Sequence, residues 1–105
     1  MTVDYIKIIE EQIDSIFENG SFDEEAVKEE VSNDNIISFY YNIDDIILLI
    51  STYWELKMTR YMISLNWIDD NEKFEKVVRS KLDETRDQVD MLMNCILNNL
   101  GSLAS

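Results

Sequence analysis

Apolar residues recur at three- and four-residue intervals at the start of the chain. Five of them fall on one side of a helix: Ile6, Ile9, Ile13, Ile16 and Phe17. The spacing predicts a helix over residues 3–19, with Thr2 as its N-cap. Gly20 stands where a helix C-terminus favours a residue with positive φ. We therefore expect the first helix to end there.

The segment ENGSFDEEAVKEEV, residues 18–31, continues from that helix end. Ser21 and Glu24 have the spacing of a capping box, in which a Ser or Thr at the N-cap is followed three residues later by Glu or Gln. The pattern predicts a second, shorter helix that ends near Val31. It is weakly amphipathic, because Glu30 falls between its apolar positions.

The same segment also looks like the second half of an EF-hand calcium loop. With Gly20 at the turn position of such a loop, Phe17 and Ala26 occupy positions that must supply oxygen ligands. Neither side chain has an oxygen to offer. We interpret the segment as a joint between two helices and predict no metal site.

The next region is the least regular part of the pattern. Residues 32–35 form a turn signal, and the apolar and aromatic run at residues 36–41 predicts a short helical turn, with a strand as the alternative. Asn42, with Asp45 three residues later, has the pattern of an N-cap. It predicts a long helix that ends near Asn66 or Trp67.

That long helix has two apolar stripes. The first contains Ile43, Ile47, Ile50, Trp54, Met58, Tyr61 and Leu65. The second lies roughly 140° away, at ~100° per residue, and contains Leu49, Leu56, Ile63 and Trp67. Either the helix is the central element of a bundle, or the second stripe is a surface for a partner or for a second copy.

The last part of the chain predicts one more long helix. Asp69 and Asp70 supply its cap, the helix covers residues 71–100, and Gly101 ends it. A near-heptad stripe follows its length: Phe74, Val78, Leu82, Thr85, Val89, Leu92, Ile96 and Leu100. The whole pattern predicts an all-α fold, an antiparallel bundle of four to five helices with a long C-terminal helical hairpin. Residues 1–105 are expected to form a single domain.

Composition supports this fold and adds a charge signal. The 105 residues include no Pro and only two Gly, and 46% are hydrophobic. The net charge is −13 and it is uneven: residues 1–45 have 2 basic and 13 acidic residues (−11), whereas residues 46–105 have 7 basic and 9 acidic ones (−2). Such a balance disfavours direct binding to nucleic acid or an anionic membrane, since both require basic patches. It favours a basic protein partner.

The residues available for catalysis are few. With no histidine, the chain lacks the commonest general base and most zinc sites. Cys95 falls at the edge of an apolar stripe, where we expect a buried side chain rather than a nucleophile. No glycine-rich phosphate loop is present. We predict that the protein is not an enzyme and binds no cofactor.

Location is predicted from similar considerations. A single cysteine excludes an intramolecular disulfide and fits a reducing compartment. The N-terminal residues are acidic and helical, unlike a secretory signal. The longest apolar run, residues 46–50, is far shorter than the ~20 residues that span a bilayer. We expect a cytoplasmic protein.

The acidic residues of the first half therefore define the candidate binding surface. Its predicted members are Asp23, Glu24, Glu25, Glu29, Glu30, Asp34, Asp44 and Asp45, with Tyr40 and Tyr41 as amphipathic anchors. Clustered carboxylates steer a basic partner and raise its association rate. A solvated surface that maintains solubility is the simpler interpretation of the same residues.

A small, acidic, histidine-free helical chain is similar in type to bacterial immunity proteins, although no motif identifies one family of them. The resemblance implies a stoichiometric inhibitor that neutralises a nuclease toxin by occupying its phosphate-binding cleft. Two alternatives stay open at this point. One is a phage-encoded inhibitor of a host nucleic-acid defence complex. The other is a non-inhibitory helical oligomer or adaptor that forms a homodimer through Leu49, Leu56, Ile63 and Trp67.

Overall fold

A computed structural model describes residues 5–32 and 43–104 of the chain, and in these residues the secondary structure is entirely helical. The helices are α1 (Tyr5–Asn19), α2 (Glu24–Ser32), α3 (Ile43–Ser64) and α4 (Asn71–Ala104). This confirms the all-α prediction and is consistent with a helical bundle. The predicted caps at Thr2 and Asn42 and the helical turn at residues 36–41 lie outside the described residues.

The helices pack in a definite set of pairs. α4 is the common element, because α1, α2 and α3 all contact it, and α1 also packs against α3. The described residues form an elongated body of 52 × 20 × 18 Å. At ~1.5 Å per residue, the 34 residues of α4 account for the long dimension. The shorter α1 and α2 therefore cover only part of the α3–α4 pair.

The hydrophobic core joins all four helices. Its fully buried members are Ile9, Ile13 and Ile16 of α1, Val27 and Val31 of α2, Ile46 and Ile50 of α3, and Val89, Leu92 and Ile96 of α4. Each such side chain contributes roughly 1.5–3 kcal/mol by leaving water. Three of the five predicted α1 positions are thus confirmed as core, as are Val89, Leu92 and Ile96 of the predicted α4 stripe. Ile6, in contrast, is exposed.

Gly20 ends α1 as predicted. Its φ is +80°, and its backbone N–H donates to the carbonyl of Ile16 at 2.9 Å. This is the arrangement of a left-handed C-cap, which satisfies one of the carbonyls that a helix end leaves free. A Cβ at this position would also lie 3.3 Å from Oε1 of Glu84, which leaves little room for a side chain.

The start of α2 differs from the prediction. The capping box with Ser21 as N-cap is wrong: α2 begins at Glu24, and the side chain of Asp23 accepts the N–H of Ala26 at 3.1 Å. In a capping box a Glu or Gln at that third helical position would accept the N-cap amide. Ala26 cannot do so. Instead, Oε1 of Gln12 in α1 accepts the Asp23 N–H at 2.8 Å.

The two ends of α4 show one confirmation and one correction. Asp70 caps α4 as predicted, because its Oδ1 accepts the N–H of Glu72 at 2.9 Å. Gly101 does not end α4, which continues to Ala104. Among the residues described, Gly20 is the glycine with positive φ, so Gly101 keeps a helical backbone. A helical glycine costs only ~1 kcal/mol relative to alanine, and a long helix tolerates that penalty.

The two apolar stripes of α3 have different environments. In the first stripe Ile50, Met58 and Leu65 are buried. In the second stripe Leu49 is half-buried against the core, whereas Leu56, Ile63 and Trp67 are 43%, 66% and 66% exposed. Of the two alternatives, a central helix covered on both sides within one chain therefore does not describe the second half of α3. α1 and α2 are too short to cover its second half.

Candidate partner-binding surface

The structure describes most of the predicted acidic surface. Seven of its carboxylates are exposed: Asp23, Glu24, Glu25, Glu29, Glu30, Asp44 and Asp45. Asp34, Tyr40 and Tyr41 lie outside the described residues. The exposed acids belong to two groups, one along α2 and one in the first turn of α3.

The α2 group lies on the outer side of a short helix. Val27 and Val31 point into the core and are almost fully buried, so the apolar side of α2 is used for packing. Glu25 and Glu29 are four residues apart and therefore lie one above the other on the exposed side. Glu30 is exposed as well. The core packing of α2 requires none of these three carboxylates.

Two members of the α2 group have local structural roles. Asp23 is the N-cap described above. Glu24 forms an ion pair with Lys28, whose Nζ lies 3.1 Å from Oε1. The hydrogen bond to Glu24 raises the pKa of Lys28. Glu25, Glu29 and Glu30 form no ion pair of this kind with the residues that the structure describes, so their charge is available to an external partner.

Asp44 and Asp45 occupy a different part of the molecule. They lie in the first turn of α3, where acidic side chains complement the positive end of the helix dipole. α2 packs mainly on α4. That the two acids and the α2 group form one surface stays a prediction from the sequence.

Asp14 is an acidic residue of α1 whose partners, Tyr53 and Lys57, belong to α3. Oδ1 of Asp14 accepts the hydroxyl of Tyr53 at 2.9 Å and lies 3.0 Å from Nζ of Lys57. Removal of the phenol from water, together with the Asp14 carboxylate, raises the pKa of Tyr53 to about 12. Asp14 therefore holds α1 against α3. Because its charge is compensated, it contributes less to an outward acidic field than the α2 residues do.

Cys95 is buried at the α2–α4 contact. Burial raises the pKa of its thiol, and the nearby Glu24 and Glu25 carboxylates raise it further. The thiolate is the nucleophilic form of cysteine, and this environment disfavours it. Nδ2 of Asn99 donates to Sγ of Cys95 at 3.9 Å. These contacts are those of a packed side chain.

A second exposed surface lies along the second half of α3 and in the turn that follows it. The sequence offered this surface as one of two explanations of the second apolar stripe, the other being a central helix. We define the tip surface by three exposed apolar side chains: Leu56, Ile63 and Trp67. Nζ of Lys73 lies 5.7 Å from the centre of the Trp67 ring. The seven-residue spacing of Leu56 and Ile63 was the available signal. Exposure had to come from the structure, because it depends on which sides of α3 the other helices cover.

Other kinds of site have no counterpart in the described part of the chain. Residues 5–32 and 43–104 contain no group of three or more Cys, Asp or Glu side chains placed to hold a metal ion. In the same ranges, no helix has the length and apolar character that crossing a membrane requires. Comparison with protein-family models, with characterised proteins and with solved structures finds no match to this chain.

Proposed function

We propose that this protein is a stoichiometric inhibitor that binds a basic partner protein through the acidic surface of α2. The observation that carries the proposal is the placement of Glu25, Glu29 and Glu30. All three are exposed, outside the core and without an ion pair among the described residues. Carboxylates in this position supply long-range attraction to a basic surface and exclude anionic competitors.

The energetics of α2 make solubility alone a poor explanation of these carboxylates. Glu29 and Glu30 lie in the last turn of α2, where the negative end of the helix dipole repels them. Glu25 and Glu29 repel each other at a spacing of four residues. A nine-residue helix is marginal by itself. Acids elsewhere on the surface would maintain solubility without weakening α2, so a partner is the better explanation.

Among proteins that fit this role, we propose an immunity protein that neutralises a nuclease toxin. A nuclease binds phosphates through basic residues, and an acidic helix is complementary to such a cleft. A phage-encoded inhibitor of a host nucleic-acid defence complex would use the same surface. The position of the gene distinguishes the two, because an immunity gene lies beside the gene of its toxin.

We further propose that α3 and α4 run antiparallel as a long hairpin within a bundle of four to five helices. The order of contacts supports this arrangement. Trp54 donates a hydrogen bond to Thr85. The ammonium group of Lys81 lies over the ring of Tyr61, and that of Lys73 lies over the ring of Trp67. Contacts in which one residue number rises as the other falls are those of antiparallel neighbours.

The inhibitor proposal is tested by capture of partners from the native organism on immobilised protein, followed by mass spectrometry. We expect one basic protein at a ratio near one to one. E29K/E30K should weaken its capture by at least tenfold. That loss should be smaller when both proteins are compared at high salt, where the electrostatic contribution is already screened.

D83K/D87K is the matched control. Asp83 and Asp87 are also two exposed acids, they lie four residues apart on α4, and their replacement changes the net charge by the same amount. We expect it to weaken capture by no more than about threefold, through the general field alone. Equal losses for both variants would show that overall charge, and not the α2 surface, attracts the partner. Capture of no basic protein at all would contradict the proposal.

A further inference from the structure

We propose that a second copy of this chain docks on the tip surface, forming a symmetric dimer in which the two tips meet and the two acidic α1–α2 ends point away from each other. This proposal does not depend on the inhibitor proposal. It concerns Leu56, Ile63 and Trp67, which lie outside the acidic surface of α2.

The apolar character of the tip surface is the first reason. Single exposed hydrophobic residues are ordinary on a protein surface. Here, however, Leu56 and Ile63 are one heptad apart on the same side of α3, and Trp67 follows one turn later. Aromatic residues at such positions are typical of interface centres. A heptad-spaced apolar stripe is also what one helix presents to another.

The second reason for a dimer is that no described helix covers the apolar side chains of the tip surface. α1 ends at Asn19, and its last contacts reach the α3–α4 pair through Phe17. Nζ of Lys81 donates to the Phe17 carbonyl at 2.8 Å and lies over its ring. Leu56 and Ile63 lie on the side of α3 opposite Trp54 and Met58, which contact Thr85 of α4, and no described helix covers that side.

The charge distribution identifies the occupant. Residues 57–86 contain 7 basic and 6 acidic residues, a net of +1, whereas the rest of the chain contains 2 basic and 16 acidic ones, a net of −14. Two copies of so acidic a chain repel each other in every arrangement that brings the residues outside 57–86 of one copy close to those of the other. At the tip that repulsion is absent. A two-fold axis also allows a basic residue of one copy to face an acidic residue of the other.

The shape of the molecule reinforces this choice. The body is 52 Å long, and the Debye length is ~8 Å at physiological salt. A tip-to-tip dimer therefore separates its acidic ends by several Debye lengths. A head-to-tail arrangement would place exposed carboxylates against Ile63 and Trp67, where they lose water without a partner. A basic partner is disfavoured here, because residues 57–86 have a net charge of +1 and do not attract it.

The test is the mass of the wild-type protein in solution by sedimentation equilibrium. Three apolar side chains form a small centre compared with the ~800 Å² that each partner of a standard interface buries, so a range of about 1–200 µM is appropriate. We expect the mass to rise from the 12.4 kDa of the chain to twice that value. L56E/I63E should remain monomeric throughout, with unchanged helical circular dichroism.

L48E is the matched control, because Leu48 lies on the same helix and is 65% exposed, nearly the same as Ile63. It should dimerise like the wild type. A wild-type monomer at 200 µM, or equal disruption by L48E, would overturn the proposal. A dimer that dissociates when the salt concentration is raised would also overturn it, since that result indicates a head-to-tail ionic contact. A tip-to-tip dimer should persist at about 0.5 M salt.

Discussion

The indole of Trp54 and the hydroxyl of Thr85 form a hydrogen bond that connects α3 to α4. Nε1 of Trp54 donates to Oγ1 of Thr85 at 2.9 Å, and Thr85 is fully buried. The threonine hydroxyl in turn donates to the carbonyl of Lys81 at 2.8 Å. Both polar groups are thereby satisfied inside the α3–α4 contact. A buried donor that lost its partner would carry the cost of its desolvation.

The Trp54–Thr85 bond predicts a coupling between two substitutions. T85V preserves the volume but leaves the indole N–H without an acceptor, which should reduce the free energy of unfolding by about 1–3 kcal/mol. In a W54F background no donor is left unpaired, so T85V should be about 1 kcal/mol less destabilising. Urea unfolding followed by circular dichroism measures all four variants. Purely additive effects would show that the bond adds nothing beyond packing.

Tyr53 and Asp14 predict a pH dependence at the alkaline end. The pKa of Tyr53 is raised from 10.0 to about 12 in the folded protein. A raised folded pKa means that the stabilisation is complete below pH 10 and is lost as pH rises through 12, because the unfolded state ionises first. Wild-type stability should therefore fall more steeply over this range than that of Y53F. Urea unfolding at about pH 8, 10 and 11.5 gives the comparison.

The control for this prediction is Y61F, which removes a phenol from the same helix but away from Asp14. Its stability should follow the wild-type pH dependence. Parallel curves for wild type and Y53F would show that the hydroxyl of Tyr53 has no special link to the carboxylate in solution.

The start of α2 provides a further prediction. Because Asp23 and not Ser21 is the N-cap, D23A should lower the free energy of unfolding by about 1 kcal/mol. S21A should change it by less than about 0.5 kcal/mol, as for surface substitutions in general. The ranking would be reversed if Ser21 capped the helix in a capping box. Chemical denaturation of the two variants beside the wild type decides between the caps.

The difference between the predicted and observed cap shows which parts of this fold local sequence determines. Ser21 and Asp23 are both good N-cap residues, and local pattern alone ranked Ser21 first. The hydrogen bond from the Asp23 N–H to Gln12 decides in favour of Asp23, and Gln12 is eleven residues away on another helix. The spacing of apolar residues, which is a local property of the sequence, predicts which segments are helical and which side of α4 is buried. The choice between two neighbouring N-cap residues depends on a tertiary contact.

The same distinction applies to α3 and to the candidate surface. Periodicity located both apolar stripes, but it could not place Ile46 in the core, because that depends on how α1 lies against α3. Exposure of the α2 carboxylates was predictable from their charge. The internal role of Asp14 was not, since its partners Tyr53 and Lys57 are about forty residues away along the chain.

The charge pattern of α2 predicts that stability and partner binding respond in opposite directions to one substitution. E29K replaces an acid in the last turn of α2 by a base, which interacts favourably with the helix dipole. It also converts the Glu25–Glu29 repulsion into an attraction in the favourable order, acid before base. The free energy of unfolding should rise by about 0.5–1 kcal/mol, and the gain should diminish at high salt.

E25K is the matched comparison for E29K. It makes the same change on the same exposed side of the same helix and removes the same repulsion, but it places the base in the first turn, where the dipole is unfavourable. E29K should therefore be the more stable of the two by about 0.5 kcal/mol or more in thermal or urea unfolding. If Glu29 is retained for binding, E29K should nevertheless capture less of the basic partner than wild type. An E29K protein that is both less stable than wild type and equally able to bind would contradict a binding role for the α2 carboxylates.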